Sequence, residues 1–144
     1  MITMRTFVAG FASLMLLLAA GVCFAAPEIP NLVGTWTVKA EGAVFAKGTA
    51  PGSKTHHAGD FSTLTAEAVV TAQQGRVVRG TFKSARATEN FVAVIGFDNK
   101  SFFYADEDGA SDGRIVSKDR IDVVYRHVTA HDTVVGIGTW TRKK

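Results

Sequence analysis

From Leu32 to the end of the chain, apolar and polar residues alternate with a period of two, and clusters of turn-forming residues interrupt the alternation at short intervals. Period two places successive side chains on opposite faces of an extended chain, so it specifies strands with one face turned inward. Val33 to Val38 is the first such stretch, rich in β-branched and aromatic residues. Further strands are expected over 64–72, 76–84, 91–97, 100–106, 113–116, 120–128 and 133–141. Gln73-Gln74-Gly75, Asp98-Asn99, Glu107-Asp108-Gly109, Ser117-Lys118-Asp119 and Ala130-His131-Asp132 are the punctuation between them. No segment holds a helical period with caps at both ends. Connections this short join antiparallel neighbours, because parallel strands need crossovers of a dozen residues or more. An open meander of eight such strands would leave two sheet edges unpaired. Closing it into an all-β, eight-stranded antiparallel up-and-down barrel removes them.

Only residues 32–144 follow this pattern. Met1 to Arg5 is a short head whose one charged side chain is positive, Phe7 to Ala20 is uncharged and apolar or small, and Gly21 to Ala25 ends in a small-x-small exit. That order describes a secretory signal peptide over residues 1–25, cleaved after Ala25. The apolar stretch is shorter than the roughly 20 residues of a membrane-spanning helix, and no integral membrane segment is expected after its removal. Cys23, the only cysteine in the chain, is preceded by valine, which disfavours a lipid anchor. It leaves with the leader, so the exported domain is expected to hold itself together without disulfides. The localisation that follows is periplasmic or secreted. Residues 26–31, with two prolines, form an extended lead-in. Residues 46–61 carry turn chemistry throughout and form a long first loop of the kind that often serves as a lid or binding element.

Sixteen Lys and Arg stand against thirteen Asp and Glu, a formal charge of +3. Part of that excess lies in the Arg142-Lys143-Lys144 tail, and no basic stripe is interleaved with aromatics. Nucleic acid is therefore not expected as a partner.

The chain also has matched ends. Gly34-Thr35-Trp36-Thr37 opens the first strand and Gly138-Thr139-Trp140-Thr141 closes the last. In a closed meander these strands are neighbours. Each glycine, two residues before its tryptophan, faces the same side, and Gly34, Trp36, Gly138 and Trp140 are expected to alternate big and small to fill the end of a tapering barrel. Arg142 is positioned to lay its guanidinium on an indole face. Gly34-Thr35-Trp36, the long loop after the first strand and Arg142 together resemble the calycin group, the lipocalins, avidins and related small exported barrels. The resemblance implies that Trp36 sits at the closed barrel end with Arg142 across it. Biotin binding is not implied, since avidin-type sites draw tryptophans from several strands and only Trp36 and Trp140 are present. The helix that follows the last strand in many lipocalins also has no counterpart. Bacterial periplasmic protease inhibitors are a further comparison, because they too use an eight-stranded barrel, with an N-terminal arm that residues 26–31 match in composition.

Catalytic signatures are missing. There is no cysteine beyond the leader, no Gly-x-Ser-x-Gly, and no phosphate-binding loop entering a helix; no catalytic residue and no cofactor is assigned. The acidic run from Asp106 to Gly113 offers Asp106, Asp108 and Asp112 as a calcium candidate, without the spacing of an EF-hand. His56 and His57 lie in the long loop, and His127 and His131 are separated by a turn, so a zinc set is not expected. Glu67, Glu89 and Asp122 are the carboxylates placed in or beside strands. On the 120–128 strand, Ile121, Val123, Tyr125 and His127 share a face. If that face is inward, Tyr125 and His127 are polar tips in an apolar lumen. The leading expectation is a non-enzymatic exported barrel that binds a small, largely apolar ligand in its mouth, with Phe45, Tyr104, Tyr125 and His127 as contacts. A protein-binding module using the N-terminal arm is the alternative, and a barrel-scaffold enzyme of cyclase type is a third.

Overall fold

A computed structural model describes residues 28–46, 56 and 60–144. The expected signal peptide, the start of the expected lead-in and most of the 46–61 loop, His57 included, lie outside the described residues. Eight strands follow one another: β1 (Gly34–Ala46), β2 (Phe61–Gln74), β3 (Val77–Lys83), β4 (Thr88–Ile95), β5 (Ser101–Ala105), β6 (Gly109–Ser117), β7 (Arg120–Val128) and β8 (Asp132–Arg142). Each pairs antiparallel with the next, and β8 returns to β1, so the sheet is a closed up-and-down barrel. The all-β class, the strand number and the closure are as the alternation predicts.

Two boundaries differ most from the sequence expectation. β1 runs to Ala46 rather than ending at Val38. Its second half is poor in β-branched residues, yet Ala43 pairs with Phe61 of β2 on one side and Val135 of β8 on the other. Closure gives this segment two partners, and that outweighs its weak propensity. β6 begins at Gly109, not Gly113. Residues 109–112 join the ladder between β5 and β7, and the acidic loop contracts to a tight turn at 106–108.

The inward rows form the core. Trp36, Val38, Ala68, Val70, Val78, Phe82, Phe91, Ile95, Phe102, Ile121 and Trp140 are all buried. Trp140 stands at its centre, with ring centroids 5.6 Å from Phe91, 5.7 Å from Phe102 and 5.6 Å from Tyr104. Edge-on and tilted aromatic packing of this kind fills the middle of the lumen. Val38 of β1 is the cross-strand partner of Trp140, and Ala40 that of Gly138. A Cβ on Gly138 would approach the Ala40 Cβ to 2.9 Å, so the glycine gives the two strands their close approach beside the indole.

One end of the barrel is sealed. The Arg142 guanidinium lies 4.2 Å from the Trp36 ring centroid. Its Nη1 donates to the Val33 carbonyl at 2.7 Å, its Nη2 to Asn31 at 2.8 Å and its Nε to Lys118 at 3.0 Å. Trp36 Nε1 donates to the Leu32 carbonyl at 3.0 Å. Leu32 is itself fully buried, and its amide donates to Gln73 Oε1 at 2.8 Å. The lead-in thus crosses the Trp36 end as a plug. Gly34, at φ 134°, makes the bend, and a side chain there would press on Arg142.

Candidate functional site

The strand order decides which residues meet at the other end. In an up-and-down barrel alternate connections fall on the same rim. The β1–β2 loop, the β3–β4 turn, the β5–β6 turn and the β7–β8 turn share the rim opposite the Trp36–Arg142 seal. Every buried charged side chain of the described residues sits near that rim: Glu89 at the start of β4, His127 near the end of β7 and Asp132 at the start of β8. Glu89 is 5 % exposed, and His127 and Asp132 are 4 % exposed. Burying such groups is costly unless they are paired, and here they are.

Two connected sets make up the cluster. In the first, His127 Nε2 is 3.0 Å from Asp132 Oδ1, which also accepts from Thr129 Oγ1 at 2.6 Å. A carboxylate can only accept, so Nε2 carries the proton of this bond. His127 Nδ1 lies 3.3 Å from the Tyr125 hydroxyl and 3.3 Å from Asp108 Oδ1. The Tyr125 hydroxyl donates to Asp108 at 2.8 Å, with Asp106 Oδ1 at 3.3 Å. In the second set, His56 reaches in from the long loop. Its Nε2 is 3.1 Å from Glu89 Oε2, its Nδ1 is 2.7 Å from Ser84 Oγ, and its ring meets Phe82 edge-on at 5.0 Å. The sets converge at their acids: one oxygen each from Glu89, Asp106 and Asp108 lie within 4.8 Å of one another.

The electrostatics follow from that crowding. Burial pushes the Glu89 carboxyl above the usual range, although the nearby His56 opposes the shift. Burial also raises Asp106, against the bond it accepts from the Gly109 amide. The Tyr125 phenol is pushed far up, first by burial and then by the Asp106 and Asp108 carboxylates. Tyr104 is raised for the same first reason. The Tyr104 and Tyr125 rings stack at 6.3 Å and 21°. Between this cluster and Trp140 lies a narrow cavity of about 30 Å³, room for one or two water molecules. Val38, Ala40, Leu64, Val123 and Gly138 form its apolar walls, while His56, Asp106, Asp108, Tyr125 and His127 supply its polar side.

Of the residues singled out from sequence, Tyr104, Tyr125 and His127 are brought together on this cavity. Phe45 is not. It sits on the outward row of β1 and is 70 % exposed, because Trp36 and Val38 fix the inward parity of that strand. Asp106 and Asp108 turn inward, but Asp112 does not join them. It lies on the outer face of β6 and pairs with Arg126. The extension of β6 causes this, since it moves Asp112 out of the turn and into the ladder. Glu89 takes its place beside the two aspartates. Glu89, Asp132 and His56 are therefore site residues that the sequence expectation does not include. For the first two a signal exists, and it is parity. Glu89 falls in step with Phe91, Ala93 and Ile95, and Asp132 with Val134, Gly136 and Trp140. Charges at strand ends also carry turn chemistry, which masks that signal.

No family profile and no curated protein matches this chain. Among solved structures it is similar to a redesigned β-barrel, with a TM-score of 0.48 and 10 % sequence identity over 83 % of this chain and all of that one.

Proposed function

We propose that this protein is an exported, non-enzymatic barrel that binds a small, largely apolar molecule at its open rim, with Tyr104, Tyr125 and His127 contacting the ligand's polar end. The observation that carries the reading is the cavity, apolar along Val38, Ala40, Leu64 and Val123 and polar on one side only. Sites that bind small molecules combine apolar walls with a few converging polar groups in this way. The enclosed space is too small for a whole ligand, so the apolar body lies toward the mouth and the polar end enters the recess.

The Asp132–His127–Tyr125–Asp108 chain is a specific observation in favour of the enzymatic reading, which needs ordered polar groups in the lumen. Binding fits the chain better. The Tyr125 hydroxyl proton already goes to Asp108 and the His127 Nε2 proton to Asp132, so neither donor is free for a reacting atom. The inhibitor reading needs a free arm. In the described lead-in, Gln73 Nε2 holds the Pro30 carbonyl at 2.9 Å and Arg142 holds Asn31, which works against an arm free to enter a partner.

Native mass spectrometry of the protein isolated from its host's export compartment tests the proposal. The expected result is a discrete extra mass that is lost on denaturation. The proposal falls if the protein arrives bare and extracts of the same compartment leave the fluorescence of Trp140, which lines the cavity, unchanged.

A further inference from the structure

The recess has a chemical bias that its apolar walls do not explain. Asp106 and Asp108 line it, one oxygen of Glu89 lies within 4.8 Å of theirs, and among the described residues no lysine or arginine lines it. Among the described residues, Arg126 near this level lies on the outer face, against Asp112. Aromatic rings line the recess beside the acids: Tyr104 and Tyr125, stacked on each other, and Phe82. Carboxylates beside aromatic faces are the surroundings that favour an organic ammonium group, through charge-assisted hydrogen bonds and ring quadrupoles together. The size agrees, because an ammonium head is about as large as the water molecules the cavity could hold.

A second observation is independent of the acids. Trp140 is fully buried, it lines the same cavity, and its Nε1–H has no acceptor among the described residues. A buried indole N–H without a partner is costly and calls for an oxygen that the described residues do not supply.

We infer that the ligand of this recess is an organic amine that also carries an oxygen acceptor, its ammonium held by Asp106, Asp108 and Glu89 and its oxygen by Trp140 Nε1. This rests on the binding reading above and narrows it to a ligand class. Phosphate, carboxylate and sulfate head groups are excluded by the same charge.

Calorimetric titration of the full mature chain with a matched series separates this inference from the reading it rests on. Phenylethanolamine, styrene glycol and mandelate share a phenyl body and a hydroxyl and differ in carrying an ammonium, a neutral hydroxyl or a carboxylate. The amine is expected to bind at least about tenfold tighter than the glycol, with no heat from mandelate. Phenethylamine, which lacks the hydroxyl, is expected to bind severalfold more weakly, and equal binding would remove the Trp140 contact. Asp108→Asn should bring amine and glycol to within about threefold of each other while the glycol is held as before. Should that variant fail to fold by circular dichroism, Glu89→Gln serves the same comparison. Equal binding of all three compounds overturns the amine class and leaves small-molecule binding standing. Binding by none overturns the inference, and together with a bare native mass it overturns both. If calcium alone raises the melting temperature and no organic probe does, the acids are a metal site and the inference is wrong.

Discussion

Tyr125 shows how one side chain sets the character of the rim. Its hydroxyl is the shared donor between Asp106 and Asp108, and it also meets His127. Without it, two neighbouring acids face each other with less to bind them. Tyr125→Phe should cost about 1.5–3 kcal/mol, the range for a hydrogen bond to a charged group. The loss should be greater at pH 8 than at pH 5. Asp106 titrates above the ordinary carboxyl range because it is buried, so at the lower pH more of it is protonated and needs the donor less. Urea denaturation of both proteins at the two pH values measures the difference. A loss independent of pH would mean that the phenol contributes packing alone. Tyr125 and His127 can be placed from sequence, since Ile121 and Val123 fix the parity of their strand. What they bond to cannot. Asp106, Asp108 and Asp132 come from turns, and an alternating pattern does not say which way a turn residue points.

At the level of elements, the turns and the strand count are legible because their chemistry is local. Asp98 illustrates it. Its carboxylate accepts from the amides of Lys100 and Ser101 and from the Ser101 hydroxyl, and these bonds, with the Ser101 amide first, pull it down to about 2. Asn99 follows at φ 57°, a conformation asparagine tolerates. The length of β1 is not legible, because its second half is strand only by virtue of partners far away in sequence. The glycines divide in the same way. Gly75 is a turn glycine at φ 56°, and a Cβ added there would meet nothing within 4 Å. Gly80 lies in β3, where a Cβ would meet the Val69 carbonyl oxygen at 2.1 Å and the Phe91 ring at 2.7 Å. Gly75→Ala should therefore cost only the roughly 1–2 kcal/mol of a left-handed residue. Gly80→Ala must push backbone against backbone and should cost about 3 kcal/mol or more, at or beyond the upper end for overpacking. Thermal melts of the two variants rank them. Equal melting temperatures would mean that β2 and β3 can separate there without loss.

Across the whole barrel, the two ends answer to pH in different ways. At the sealed end the contacts that hold Arg142 are an indole face and backbone carbonyls, none of which titrates in the ordinary range, and the Asp119 carboxylate 3.4 Å from its Nε is half exposed. At the opposite end Glu89 and Asp106 are both raised, first by burial. The sign is fixed by proton counting. Between the unfolded and folded titration points the native state holds protons that the unfolded state has given up, so stability falls as pH rises through the folded values. Asp98 acts the other way, since its contribution is present above the ordinary aspartate range and disappears as pH falls toward 2. Stability should therefore be greatest below the folded titration points of Glu89 and Asp106 and decline as pH rises through them. Glu89→Gln keeps the shape of the side chain and removes the buried charge, so it should flatten that decline and raise the denaturation midpoint at pH 8, even though it gives up the pairing with His56. Urea midpoints of wild type and variant from pH 4 to pH 9 test this. If Glu89→Gln is instead destabilising at pH 8, the His56 pair outweighs the cost of burying the acid, and the carboxylate is there to hold the loop rather than to wait for a cation. If it is stabilising, the rim carries a charge that the folded chain alone does not need. A site that gives up stability for a buried charge has its compensation in what it binds.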